Sequence, residues 1–269
     1  MKLYKLALLC ALVSLAGVSS GCSKLRARDQ LNKGVTAYRN AQFQIAIMHF
    51  KNAVDLDPTL LNARLYLATA YAQQYIPGGD SADNLKIAQQ AMDAFEDVLK
   101  MDPKNTTAIA SIAQIYYNEK RFDRAKEYQQ RRINVEPNNP EPYYWIGVLN
   151  WAVCYPHAEQ LRKDLKINFP KDPNNPDSRP PIPEKDRVKL EADNGPLVKE
   201  GIEALAKAIE LKPNDFDTMA YLNLMYRQKA EIEADNDSRE ADLKTAEDWV
   251  NKALASKKQA AEKASSAAQ

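Results

Sequence analysis

Glycine, cysteine and histidine are scarce in this chain of 269 residues, which has 8 Gly, 3 Cys and 2 His. All-β chains spend glycine on turns and bulges, and nucleotide-binding α/β folds spend it on phosphate loops, so few glycines argue against both. The sequence contains neither a Gly-rich phosphate loop nor a G-x-S-x-G elbow. Two histidines make a His-based metal or acid/base centre hard to assemble. There is no excess of either charge: 37 basic residues face 36 acidic ones, for a formal +1. A general nucleic-acid binder usually shows a basic excess. The composition leans away from an enzyme and from nucleic acid. It leaves a helical chain, provided the 15 prolines fall at helix boundaries and not in interiors.

The N-terminal hydrophobic run is short. Leu6 to Val18 covers 13 residues, against the ~20 a membrane-spanning helix needs. Lys2 and Lys5 precede it, and the small residues Ser19, Ser20 and Gly21 follow, so residues 1–21 read as a secretory signal. Next comes Cys22, and here the chain resembles a bacterial lipoprotein precursor. Ser20, Gly21 and Cys22 fit the last three positions of the lipobox, while Ser19 departs from the usual Leu. The resemblance implies acylation of Cys22 as the mature N-terminus, a lipidated linker over 22–26, and an anchor in the membrane through that lipid. Ser23 in place of Asp implies the outer membrane, facing the periplasm. Ordinary cleavage after Ser20, giving a soluble periplasmic or secreted protein, is the alternative. Removing Lys2 and Lys5 leaves 35 basic against 36 acidic residues. Cys154 is then the one remaining thiol, so the exported chain has no disulfide framework.

Internal repeats organise the rest. Four segments end alike, at Asp57-Pro58, Asp102-Pro103, Glu136-Pro137 and Lys212-Pro213, each closing an amphipathic run that Pro stops. Pro103 and Pro137 lie 34 residues apart, the period of the tetratricopeptide repeat (TPR). Gly34, Phe43, Ala46, Phe50, Ala53 and Pro58 fit the pattern of that family in the first repeat, as do Ala113, Phe122, Ala125 and Pro137 in the third. Small residues let paired helices approach, and aromatics fill the space between pairs. Arg132 departs at a small-residue position, which predicts a looser contact or one near the surface.

The resemblance to TPR proteins implies an all-α fold, a right-handed superhelical solenoid of about five antiparallel helix pairs. The expected domain covers 27–256, with repeats at about 27–60, 61–105, 106–139, 140–215 and 216–256, and a polar tail over 257–269 that either frays as a helix or is disordered. The second and fifth repeats are over-long, around Ile76–Ser81 and Asp235–Ser238. Ser81 is an expected N-cap, and Asp237 with Glu240 resembles a capping box. The fourth repeat is split: helix A runs to Trp151, and an insert over about 154–197 carries eight of the prolines. Helical arms at Ala158–Ile167 and Lys185–Asp193 are expected to flank a Pro-rich crossing from Phe169 to Pro183. Two readings of the insert stand, a binding face and a solvent-exposed spacer.

The family's concave groove would hold Leu31, Val35, Tyr38 and Arg39, then Thr69 and Gln73, then Gln114, Tyr117 and Asn118, then Tyr144, Val148 and Trp151, then Leu224, Arg227 and Gln228. Tyr38, Arg39, Gln114, Tyr117, Asn118, Tyr144, Trp151 and Arg227 are the candidate partner-binding residues. Aromatics with amides and Arg suit an extended peptide or a partner helix. The carboxylate clamp of chaperone-binding TPRs wants Lys and Asn where Leu31 and Val35 stand, so a chaperone-tail adaptor is not expected. Cys154 and His157 make half a zinc site, with Pro156 between them, and Cys154 reads as a buried small hydrophobe. Asp235-Asn236-Asp237 lacks the Gly and distal Glu of a calcium loop. No cofactor or metal is expected. The function expected is a lipid-anchored scaffold that binds another envelope protein. Its rival is an enzyme or small-ligand binder with a site under the insert, near Trp151, Cys154 and His157.

Overall fold

The computed structural model describes residues 22–167 and 179–267. Among the described residues lie ten helices and no strand: α1 (22–39), α2 (Phe43–Leu56), α3 (Leu61–Ala72), α4 (Ala82–Met101), α5 (Thr106–Asn118), α6 (Phe122–Val135), α7 (Pro140–Asp164), α8 (Glu184–Leu211), α9 (Phe216–Ile232) and α10 (Asn236–Ala267). The chain divides into two compact units, the first ending at Glu119 and the second beginning at Lys120. The fold is all-α.

The stop signals also act as start signals. A proline cannot extend the helix before it, and in three cases an Asn or Asp two residues later caps the next helix. Asn105 accepts from the Ala108 N–H at 3.0 Å, Asn139 from Glu141 at 3.0 Å, and Asp215 from Thr218 at 3.2 Å. After Pro58 the corresponding residue is Leu60, and α3 begins without a side-chain cap. Ser81 caps α4 as expected, accepting from the Asn84 N–H at 3.3 Å. The start of α10 differs from expectation. Asp235, not Asp237, is the capping residue, and its carboxylate accepts from the Ser238 N–H at 2.8 Å.

In the first unit, Phe50 fills the gap between α1, α2 and α3. Its ring is fully buried and stacks on Tyr66 at 5.5 Å. A Cβ on Gly34 would lie 2.5 Å from that ring, so only glycine admits the close approach. Ala46 and Ala53 are fully buried at the same seam. Residues 22–26, expected as a linker, already belong to α1, and Ala27 is fully buried one turn further on. Cys22 is exposed at the start of that helix.

The second unit follows the same logic at Gly147, where a Cβ would run into the buried Leu205 side chain. Two expectations fail in this unit. Arg132 is buried, not near the surface, because Glu141 (2.6 Å) and Glu136 (3.4 Å) neutralise it. Burial works against its charge, yet the bond to Glu141 and both carboxylates hold its pKa above the ordinary value. The second failure concerns the prolines. Pro156 lies inside α7 and Pro196 inside α8, so the helical arms of the insert are uninterrupted extensions of the repeat's own two helices. Interior proline costs about 3 kcal/mol. Contacts between the two helices beside the prolines offset this. Asn194 donates to the Cys154 carbonyl at 3.1 Å, and Asn150 donates to the Leu197 carbonyl at 3.0 Å. The Phe169–Pro183 crossing lies outside the described residues as far as 178, and 179–183 has no regular structure.

The polar tail is helical through Ala267. Where it leaves the packed part of α10, Ser256 donates to the Asn214 carbonyl at 2.8 Å.

Candidate functional site

Each unit carries part of the expected groove. In the first, Gln114, Tyr117 and Asn118 share one face of α5, as i, i+3 and i+4 positions must. Gln114 donates to Asn118 at 3.1 Å, and Tyr117 is half-buried. On α1, Arg39 is exposed, while Tyr38 packs edge-on against Phe43 at 5.5 Å and rests on the core with Leu31 and Val35. Tyr38 therefore carries a packing role whatever else it does.

In the second unit the aromatic residues form a connected set. Tyr144 meets Tyr221 edge-to-face at 5.5 Å, Trp151 meets Tyr221 at 5.7 Å, and Trp151 stacks on Tyr155 at 5.0 Å. Val148, expected on the groove, is buried and belongs to the core. Beyond Trp151 the surface sinks into a cavity of about 240 Å³, lined by Trp151, Tyr155, Arg179, Arg227, Gln228 and Arg239 among others. The structure thus brings Trp151 and Arg227 together, as the groove alignment implies. It adds Arg179 and Arg239, to which nothing in the sequence pattern points.

The cavity exists because the described ends of the insert fold back onto α9. Arg162 is fully buried and is the hub. Its Nε donates to both Glu231 carboxylate oxygens at 3.1 and 3.0 Å, and its Nη2 also pairs with Glu231. Its Nη1 donates to the Ile167 carbonyl at 3.3 Å and the Pro180 carbonyl at 2.9 Å. One guanidinium therefore ties both ends of the insert to α9. Arg187 adds a bond to the Ile232 carbonyl at 3.1 Å. Ala158, Ile182 and Leu190 form a small core beneath, joined by Leu161, Leu165 and Ile232. These contacts favour an ordered insert over a solvated spacer for the residues described. Arg179 pairs with Glu159, and its carbonyl accepts from Arg239 Nη2 at 3.0 Å.

Among the described residues that line the cavity, neither carboxylate is free. Glu159 and Glu231 both line it, and each is engaged by an arginine. Burial pushes the Arg239 guanidinium below its ordinary pKa, against the opposing pull of Glu231. Burial does the same to Arg227, which donates to Asn223 at 2.9 Å. Two polar atoms in the lining residues are buried without a hydrogen-bond partner, the Trp151 indole N–H and the Gln228 Oε1.

Cys154 is fully buried, and burial pushes its thiol up to about 12. That is the environment of an inert small hydrophobe, since nucleophiles and metal ligands use the thiolate. His157 Nδ1 meets the Asn194 Oδ1 at 2.9 Å. His49 meets Gln30 at 2.8 Å in the other unit. Among the described residues no group of three His, Cys, Asp or Glu is placed to hold a metal ion. Nor is any described helix long and apolar enough to cross a membrane.

Comparison with known proteins agrees with this architecture. The tetratricopeptide repeat family model matches residues 88–145. The mitochondrial import receptor subunit TOM70 of Homo sapiens is 29% identical over 108 residues, covering 40% of this chain and 17% of that one. The chain therefore matches about a sixth of that relative's length. Among solved structures, MamA superposes with a TM-score of 0.56 at 15% identity, over 88% of this chain and 94% of its own. YrrB, described as a TPR protein with an unusual peptide-binding site, gives 0.50 at 16% identity over 85% and 90%. At such identities the likeness is one of fold.

Proposed function

We propose, from the repeat model matched over residues 88–145 and the fold shared with MamA, that the chain is a tetratricopeptide repeat scaffold of a bacterial envelope, anchored by lipid on Cys22, whose mechanism is binding. The repeat fold is that of protein–protein interaction scaffolds. The observation that carries the binding reading is the aromatic set on α7 and α9 opening into an arginine-lined cavity. Rigid rings supply apolar contact at little entropic cost, and arginines and amides pair with peptide groups. YrrB lends support as a fold relative with a peptide-binding site.

Support for the anchor lies in the sequence, in the signal over 1–21 and the Ser20-Gly21-Cys22 match. Ser23 supports an outer-membrane address, with the protein facing the periplasm. A soluble periplasmic form is the alternative. The rival enzyme reading gains nothing at Cys154, whose thiol is buried and protonated. We read the chain as a non-enzyme.

Two experiments test the proposal. Cys22→Ala should leave the precursor uncleaved or release the protein from membranes, and unchanged membrane fractionation would remove the anchor. Partner capture from membranes should be lost on Tyr117→Ala or Trp151→Ala. Capture unaffected by both but lost on deleting residues 169–183 would move binding to the insert.

A further inference from the structure

We infer, resting on the lipid-anchor reading above, that the first two turns of α1 form a membrane-docking face, on which Lys24, Leu25, Arg26 and Arg28 seat the first unit against an anionic phospholipid surface.

The path of the chain is the first observation. Residues 22–26 belong to α1, and Ala27 is fully buried. A lipid on Cys22 is therefore joined to the core of the first unit through helix and not through a flexible leash. At 1.5 Å of rise per residue, Lys24, Arg26 and Arg28 lie about 3, 6 and 9 Å along the axis from Cys22. That span is about one Debye length at physiological salt, the range over which an anionic bilayer attracts cations. An acyl chain inserted at Cys22 brings all three into that field.

The layout of the side chains is the second observation. Ala27 marks the buried face of the helix. At about 100° per residue, Cys22 and Leu25 fall on the outer face, with Arg26 on one flank and Lys24 and Arg28 on the other. All of these except Ala27 are exposed, and Leu25 is 70% exposed. A single exposed leucine is ordinary on a protein surface. Beside an acyl chain, and flanked by cations whose stems can snorkel, it is placed to enter the headgroup boundary.

The balance of charge is the third. On the anchor reading residues 1–21 are removed, with Lys2 and Lys5, so the face is that of the mature chain. Asp29, on the same side of α1, is taken by Lys33 at 2.7 Å. Asp57, at the end of α2, is the carboxylate that faces the patch. Its bond from the Thr59 hydroxyl, and then Lys24 and Arg28, hold its carboxyl below the usual range. Three cations against one carboxylate leave a net positive face on a mature chain whose total charge is slightly negative, with 35 basic and 36 acidic residues. The complementary surface is anionic lipid. One acyl chain binds a membrane only marginally, and a basic patch is the kind of second signal that makes such binding stable.

The test is cosedimentation of the mature chain, residues 22–269, with vesicles. A single myristoyl-length chain is coupled by maleimide to the Cys22 thiol. Cys154 is buried, so the label goes to Cys22. Each cation near an anionic surface strengthens binding roughly fivefold, so two net charges should raise partition roughly 30-fold from pure phosphatidylcholine to vesicles with about 30% phosphatidylglycerol. Lys24→Gln with Arg26→Gln and Arg28→Gln should abolish that rise and leave partition into pure phosphatidylcholine unchanged. Lys185→Gln with Lys189→Gln and Lys244→Gln removes as much charge from the second unit and should keep the rise. Leu25→Ser should weaken partition into both vesicles at least about threefold. Circular dichroism checks the fold of each variant. A rise below about threefold in the parent, or a control triple that loses as much as the α1 triple, overturns the docking face. No effect of Leu25→Ser on either vesicle overturns the seating of that side chain. The acyl chain is supplied chemically, so these outcomes do not depend on acylation in the cell. The anchor reading fails separately, if Cys22→Ala leaves membrane fractionation unchanged.

Discussion

Arg162→Met is the most demanding perturbation of the insert. The side chain is fully buried, and its partner Glu231 is 15% exposed. Removing the guanidinium strands a largely buried carboxylate, and breaking a buried pair in this way costs about 3–5 kcal/mol. The Ile167 and Pro180 carbonyls lose a donor at the same time. For a domain of this size each kcal/mol moves Tm by roughly 2–4 °C, so the single variant should melt about 6–20 °C lower. Replacing both partners is a different case. Arg162→Met with Glu231→Leu leaves no stranded charge, and such exchanges are often neutral or stabilising. The double variant should recover at least ~2 kcal/mol of the loss. Urea unfolding measures the totals, and hydrogen exchange locates them. Protection should fall first around Leu161–Ile167 and Arg187–Leu190 in the single variant. A loss below ~1 kcal/mol in the single variant, or a double variant as unstable as the single, would refute the account of Arg162 as the clasp of the insert.

Other expectations follow from the same contacts. Gly147→Ala gains about 1 kcal/mol of helix propensity, but places a methyl against the buried Leu205 and should cost a net ~1–2 kcal/mol by denaturant unfolding. Adding Leu205→Ala should uncouple that clash, seen as non-additivity in the cycle. Asn105→Ala removes the cap of α5 and should cost about 1 kcal/mol, whereas Asn105→Asp should cost little, as read from urea midpoints. Cys154 should resist iodoacetamide at pH 8 in the folded protein and react only on unfolding. Its folded pKa is raised from 9.0 to about 12, so its contribution to stability is full below about pH 9 and is lost as pH rises towards 12. Wild type and Cys154→Ala should converge in stability across that window, and parallel curves would contradict the burial argument.

The repeats were legible in the sequence because their signals are local. A proline that stops one helix and an Asn or Asp that starts the next sit two residues apart, at Pro103/Asn105, Pro137/Asn139 and Pro213/Asp215. Small residues at Gly34, Ala46 and Gly147 announce close helix contacts for the same reason. What was not legible depends on partners far apart in the chain. Arg162 and Glu231 are 69 residues apart, and neither alone marks a buried pair. Pro156 and Pro196 mark boundaries by local rules, yet packing between α7 and α8 carries both helices through them. Arg132 reads as a misfit at a small-residue position until Glu141, nine residues on, supplies its countercharge. Trp151 and Arg227 were found through the family's groove pattern. Arg179 was not legible because the insert, not the repeat, places it, and Arg239 because it stands on α10, outside the groove positions of the pattern.

The account's central claim is that a partner polypeptide binds the aromatic face of α7 and α9. Photocrosslinking in native membranes tests it most directly, with the crosslinker placed in turn at Tyr155, which lines the cavity, and at Val188, which is 52% exposed on α8 outside it. One discrete protein adduct is expected from Tyr155 and none from Val188. Equal labelling from both positions, or none from Tyr155, would contradict it.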